Sequence, residues 1–298
     1  MSTTRLSIDG LTALSARDGG KPILRGVSLQ IDVGEVHGLV GESGAGKSTI
    51  AKAILGIVPS QVKVTAGRID FEGLDLLSLS STSLRAVLGR DIALIPQDPL
   101  TALNPSRRIS AQMTDGLRLK RGLSRRDAEA RARALLEEVQ LRDPDRVMRC
   151  YPHQLSGGMR QRVLIAAAFA LEPKLVIADE PTTALDVTVQ KQILRLIRAL
   201  QERHGTSVLF VSHDLGVVAN ICDRITVLYM GKVMEQGLAA EVIAAPRHAY
   251  TRALLAASPR YDRPDAGLEP ISAAVIAALR SEIAAWDAGA SDRGARHG

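Results

Sequence analysis

Residues 35–48 read EVHGLVGESGAGKS, a short apolar run that breaks into glycines and ends on a lysine and a serine. EVHGLVG (35–41) has the character of a short buried strand, and STIAKAILGIV (48–58) has a helical pattern with Pro59 as its expected stop. Between them GESGAGKS (41–48) fits the spacing G-x-x-x-x-G-K-[ST] of a phosphate-binding loop, a motif that requires this strand–loop–helix context. The glycines let backbone N–H groups wrap phosphate oxygens, and the helix N-terminus adds a favourable dipole. Gly41, Glu42, Ser43, Gly44, Ala45, Gly46, Lys47, Ser48 and Thr49 are therefore expected around a nucleotide. Lys47 should reach the β- and γ-phosphates, and the Ser48 hydroxyl should ligate Mg2+.

Other strands supply partners for that loop. LVIADEP (175–181) is a buried run ending in two acids. It places Asp179 at a strand C-terminus, expected beside the loop and able to hold Mg2+ through water. Glu180 follows directly and could orient or deprotonate an attacking water. Gln97, after DIALIP, and His213, at the end of SVLFVSH, occupy matching positions on two more strands. Gln97 is read as a Mg2+ ligand and γ-phosphate sensor, and His213 as a hydrogen-bond partner of that phosphate. Alone, a surface acid or a strand-end histidine would be structural; their joint placement argues for a site.

The strands ILRGVSLQI (23–31), EVHGLVG, DIALIPQ, LVIADEP and SVLFVSHD alternate with helices, which predicts an α/β fold with a mostly parallel, covered sheet. The helix over 186–203 should be capped by Asp186 and end at Gly205. From about 98 to 170 the alternation stops. Only helical patterns occur there, including a capping box at Ser124–Asp127 and an apolar stripe of Leu135, Leu136, Val139 and Leu141, which reads as a helical subdomain inserted in the core. A hairpin, ITVLYMGKVMEQG (225–237), closes the core. After Pro259 the chain is rich in Ala, Asp, Arg and Gly, and its last ten residues are expected to be disordered.

Composition fits a soluble chain. Of 298 residues 46% are hydrophobic and only 3% aromatic, so an aliphatic core is expected. The N-terminus lacks a signal-peptide core, and the longest uncharged apolar run, VLIAAAFAL (163–171), is too short to span a bilayer. Any membrane association would come through a partner. Cys150 and Cys222 stand far apart and read as reduced, buried thiols rather than a metal set. The net charge of +6 is concentrated in 107–149, where twelve Arg or Lys face seven Asp or Glu. That run reads as a solvated helical face; no interleaved aromatics or recognition motif argue for nucleic acid.

YPHQLSGGMRQR (151–162) remains. Ser156, Gly157 and Gly158 open a helix and can be read either as a plain cap with glycines for packing or as a second anion site. Taken in order, GESGAGKS, Gln97, LSGGMRQR, LVIADEP, ALD (184–186) and His213 resemble the ATP-binding-cassette (ABC) ATPases over roughly residues 5–260. The resemblance implies a P-loop NTPase core with a mostly parallel sheet, an N-terminal antiparallel β part and the inserted helical subdomain. It implies ATP and Mg2+ as cofactors, and two cassettes facing head to tail around two ATPs. Ser156, Gly157, Gly158, Gln161 and Asp186 would then meet the nucleotide of the opposite subunit, with Leu185 across the same dimer seam. On this view residues 1–258 form the nucleotide-binding domain.

QDPLTALNP (97–105) and PRHAYTRALLAASPR (246–260) resemble the dipeptide, oligopeptide and nickel uptake group, which makes 246–298 its C-terminal extension. That implies a motor subunit on the cytoplasmic face of the inner membrane, coupled to two polytopic permease subunits, a second cassette and, indirectly, a solute-binding protein. A soluble accessory ATPase of a non-transport complex, such as a phosphonate-cleaving one, is the alternative. Two departures stand out. Residues 1–70 contain no Phe, Tyr or Trp to stack on adenine, for which Arg17 could substitute. No cysteine lies beyond Cys222, so the iron–sulfur cluster of many relatives is not expected.

Overall fold

A computed structural model describes residues 4–17, 19–183, 185–257 and 271–295. Two sheets form its centre. The first is antiparallel and contains β1 (Thr4–Ser15), β2 (Pro22–Asp32), β4 (Val62–Phe71) and β5 (Leu74–Asp75) in the order β2-β1-β4-β5. The second runs β10-β9-β3-β8-β7-β6, from β3 (Val36–Val40), β6 (Ile92–Ile95), β7 (Leu175–Asp179), β8 (Ser207–Ser212), β9 (Arg224–Tyr229) and β10 (Lys232–Leu238). Its neighbours pair in parallel except β9 with β10, which form the expected hairpin.

β8 lies between β7 and β3. The loop helix α1 (Lys47–Ile54) bridges that gap and touches β7. α1 also stops short of Pro59, because Gly56 turns left-handed at φ +61° and ends the ladder.

Alternation along the strands divides the core in two. Leu39, Ile177, Leu209 and Val211 face α1 and the antiparallel sheet, packing on Ile50, Ile54, Leu6, Ile31 and Phe71. Val40, Val176, Val208 and Phe210 face the other way, onto Phe169, Ile193 and Ile197. After α2 (Ser81–Val87) and β6 come α3 (Pro99–Ala102), α4 (Ile109–Arg121), α5 (Arg125–Glu138), α6 (Pro144–Arg149) and α7 (Gly157–Phe169), with no strand among the described residues. The Ser124 hydroxyl accepts the Asp127 N–H to start α5, whose Leu135 and Leu136 are fully buried.

α8 (Val187–His204) begins at an Asp186 cap and ends at a left-handed Gly205. α9 (Leu215–Ala219), α10 (Ala239–Ala244) and α11 (Ala249–Ala257) lead to α12 (Ala273–Ala295). Residues 289–295, where disorder was expected, continue α12, an alanine-rich helix seated through buried Leu279 and Ile283. Residues 258–260 of the C-terminal motif and residues 296–298 lie outside the described residues. Cys222 is buried, and burial pushes its thiol pKa well up; Cys150 is only partly buried, contrary to expectation.

Candidate functional site

The five residues of β3 are all buried, and the chain leaves the sheet at Gly41. A Cβ there would collide with the Leu228 carbonyl of β9, so only glycine lets the loop turn this close to the sheet. Gly46, at φ +104°, caps α1, so Lys47 is the first residue of the helix. Lys47 is 4% exposed. Its Nζ donates to the carbonyls of Gly41 at 2.7 Å and Glu42 at 2.9 Å, curling over the loop it serves. Burial lowers its pKa, while Glu180, Asp179 and Glu42 oppose that shift. Phosphate oxygens are the natural replacement for the two carbonyls.

Glu180 follows β7 with a left-handed backbone, φ +45°, which is strained by about 1–3 kcal/mol for a non-glycine residue. This turn takes the carboxylate out of the strand line. Its Oε2 accepts from Gln97 Nε2 at 3.1 Å and Thr183 Oγ1 at 2.9 Å, and His213 Nδ1 lies 3.2 Å away. Gln97, read as a metal ligand, thus binds the carboxylate here, because the ends of β6 and β7 are neighbours. Glu42, Ser43, Gly44, Gly46, Lys47, Ser48, Thr49, Gln97, Glu180 and His213 line one cavity of about 610 Å³. Gly41 and Ala45 lie buried beneath it.

Asp179 sits behind this group. Burial and Glu180 raise its pKa, against Lys52, Lys47 and a hydrogen bond with Ser48. Its Oδ1 is buried without a hydrogen-bond partner among the described residues. An unpartnered carboxylate oxygen beside a serine hydroxyl and a phosphate loop fits a hard cation such as Mg2+.

The remaining expected residues lie elsewhere. Ser156 caps α7 by accepting the Met159 N–H at 3.3 Å, and Ser156 and Gly157 are exposed and do not line the cavity. A Cβ on Gly157 would meet nothing within 4 Å, whereas one on Gly158 would touch Val189 at 3.6 Å. Packing therefore does not demand the first glycine. Asp186 is exposed, its Oδ1 accepting the N–H groups of Thr188 and Val189.

Gln161 is 1% exposed and donates to the Pro181 carbonyl at 2.8 Å, so in this chain it ties α7 to the Glu180 turn.

Arg17 does not line the cavity; Ile23 of β2 does. Tyr250 was also missed: its buried hydroxyl accepts the Glu42 N–H at 3.2 Å. That contact joins residues 208 apart in sequence, and no local pattern marks it.

A phosphate loop on a mostly parallel sheet, a catalytic-type carboxylate at a nearby strand end and a helical insertion whose last helix opens on SGG define an ATP-binding-cassette ATPase. The chain belongs to the ABC transporter family, whose model matches residues 24–183; the model "Oligopeptide/dipeptide transporter, C-terminal region" matches residues 234–283. The chain is 51% identical to the probable D,D-dipeptide transport ATP-binding protein DdpD of Escherichia coli (strain K12), over 83% of this chain and 76% of that protein. It is 44% identical to the dipeptide transport ATP-binding protein DppD of Bacillus subtilis (strain 168), over 89% of this chain and 80% of that one. Among solved structures, a dimeric post-hydrolysis state of the cassette MJ0796 bound to ADP and Pi superposes with a TM-score of 0.70. It is 30% identical and covers 78% of this chain and 98% of its own.

Proposed function

We propose that this chain is the ATP-hydrolysing motor of an importer for peptides or similar solutes, working as one of two cassettes on a pair of permease subunits. The observation that carries the shared-site part of this reading is the separation of two phosphate-type helix N-termini. Lys47 and Glu180 line one cavity, while Ser156 and Gly157 lie outside it, exposed and sterically free. Such a half-site is useful when it serves the nucleotide of a second cassette.

In the mechanism, the loop N–H groups and Lys47 hold the β- and γ-phosphates, and Ser156 with the Gly157 and Gly158 amides closes over them from the partner. Ser48 and Asp179 would hold Mg2+, with Gln97 close by, and the ion would neutralise phosphate charge. Glu180 accepts a proton from the attacking water, and Gln97, Thr183 and His213 orient its carboxylate. ATP closes the pair and hydrolysis reopens it. Asp186 keeps α8 in register beside the seam.

An apolar groove along the edge strand β6 supports docking of a permease segment. It is lined by Leu55, Leu88, Ile92, Leu94, Leu164 and Ala168, and Leu100, five residues beyond β6 in the chain, is 63% exposed. None of the helices among the described residues is long and apolar enough to cross a membrane, so attachment at the cytoplasmic face through such subunits is the fitting arrangement. The relatives named for dipeptide transport support a peptide-like cargo, which on the importer reading a solute-binding protein would deliver.

The test is to tag the chain in its native host, solubilise the membranes and identify the co-purifying subunits. Two polytopic proteins and a second cassette are expected. Recovery from the soluble fraction on an unrelated enzyme would sink the importer reading in favour of an accessory ATPase.

A further inference from the structure

The cavity wall on the β2 side is Ile23, an aliphatic residue where no aromatic ring precedes Phe71 in the chain. Ile23 sits against the two-residue turn between β9 and β10; a Cβ on Gly231 would collide with its carbonyl. That turn is joined to the phosphate loop: Gly231 N–H donates to Ala45 O at 2.8 Å, and Arg25 N–H donates to Gly231 O at 2.8 Å. Both turn residues have positive φ, +44° at Met230 and +78° at Gly231. Such turns favour Asn or Asp before the glycine, so Met230 is held in a conformation it does not prefer.

What holds it is Arg25. Its Nη1 donates to the carbonyls of Met230 and Pro22, at either end of the wall. The side chain is 8% exposed, and its Nε and Nη2 form a fork on Asp287 of α12 at 2.8 and 2.9 Å. The same helix packs Trp286 against Gly26, below the Lys232 ammonium, and pairs Glu282 with Lys232 and His248.

We propose that Arg25, fixed by Asp287, is a positioning residue of the nucleotide site. It sets the Ile23 wall and the Met230–Gly231 turn against the phosphate loop, so ATP affinity depends on the C-terminal helix. Removing the Asp287 charge leaves a nearly buried guanidinium that must find other partners, and the turn carbonyl it holds is released. The inference rests on reading the cavity as the ATP site, which ATP binding to the wild-type chain tests separately.

The experiment uses the full-length chain. ATP affinity is measured by displacement of a fluorescent ATP analogue, alongside steady-state turnover and thermal midpoints. Asp287→Asn should weaken ATP about fivefold, close to the net worth of one hydrogen bond, with KM rising and kcat within about twofold. Asp287→Glu should restore most of the loss. Glu282→Gln, which breaks the helix's other ion pairs without touching Arg25, should bind as the wild type does. Wild-type affinity in Asp287→Asn would overturn the proposal. So would equal weakening in Glu282→Gln, which would reduce the effect to helix docking. If the wild-type chain itself failed to bind ATP, the site reading would fall and this inference with it.

Discussion

Gly157→Asp separates folding from function because the two effects have opposite signs. A Cβ at Gly157 meets nothing within 4 Å, so the new side chain fits without rearrangement. The position is the first residue of α7. Replacing glycine in a helix recovers up to about 1 kcal/mol of backbone entropy, and a carboxylate in the first turn gains about 0.3–1 kcal/mol from the dipole. The monomer should therefore gain on the order of 1 kcal/mol, a rise of about 2–4 °C in its thermal midpoint. If Gly157 meets the γ-phosphate of a second subunit, the same carboxylate sits against like charge. At about 4 Å and an effective dielectric of ~20 that repulsion is near 4 kcal/mol, enough to cut closure roughly a thousandfold.

The assay pairs differential scanning calorimetry and ATP binding on the dilute chain with turnover at high protein concentration. Expected are an unchanged or raised midpoint, unchanged ATP affinity and almost no turnover. Normal turnover would refute the shared-site reasoning. Loss of ATP binding by the monomer would show that SGG acts within its own chain.

Three further outcomes test the site from different sides. Glu180→Gln removes the proton acceptor and should lower turnover about 10²–10⁴-fold while ATP binding persists; unchanged turnover would remove Glu180 from the chemistry. Asp179 has a raised pKa, so its ionised form costs folded-state stability once the pH is above the ordinary value of 3.8. Asp179→Asn should then raise the thermal midpoint at pH 7, and the gain should shrink as the pH falls toward 3.8 and vanish below it, where the wild-type group is protonated in both states; a lower midpoint at pH 7 would contradict the assignment. It should also abolish Mg2+-dependent turnover. Tyr250→Phe deletes the acceptor of the Glu42 N–H but keeps the ring beside Tyr229, 4.7 Å between centroids. The loss should be about 1 kcal/mol, or 2–4 °C; a much larger drop would mean that the hydroxyl governs packing as well.

Much of this protein was legible locally. The phosphate loop is readable because its chemistry demands glycines and a lysine at fixed spacing between a strand and a helix. The buried strands β3, β7 and β8 are continuous apolar runs, and Asp186 and Gly205 mark both ends of α8 by their own backbone preferences. β1 was harder to see. Its buried apolar positions run Leu6, Ile8, then Leu11, Ala13, because the register shifts around a left-handed Gly10 and breaks the two-residue period. β4 is largely exposed along its first half and exists by pairing with β1, which no local pattern encodes.

The motifs thus pointed to the residues proposed to carry the chemistry, because their spacing along one strand or loop is itself the geometry. Their relation across the molecule was decided only by the tertiary structure. Sheet order put β8 between β3 and β7, and strand-end proximity turned Gln97 onto Glu180. Helix packing buried Gln161 against Pro181, and the folded C-terminal region brought Tyr250 to the loop and Asp287 to Arg25. The physical reason is range. Backbone conformation and hydrophobic period act over a few residues, whereas contacts between residues more than two hundred apart form only when the sheets and helices share one core.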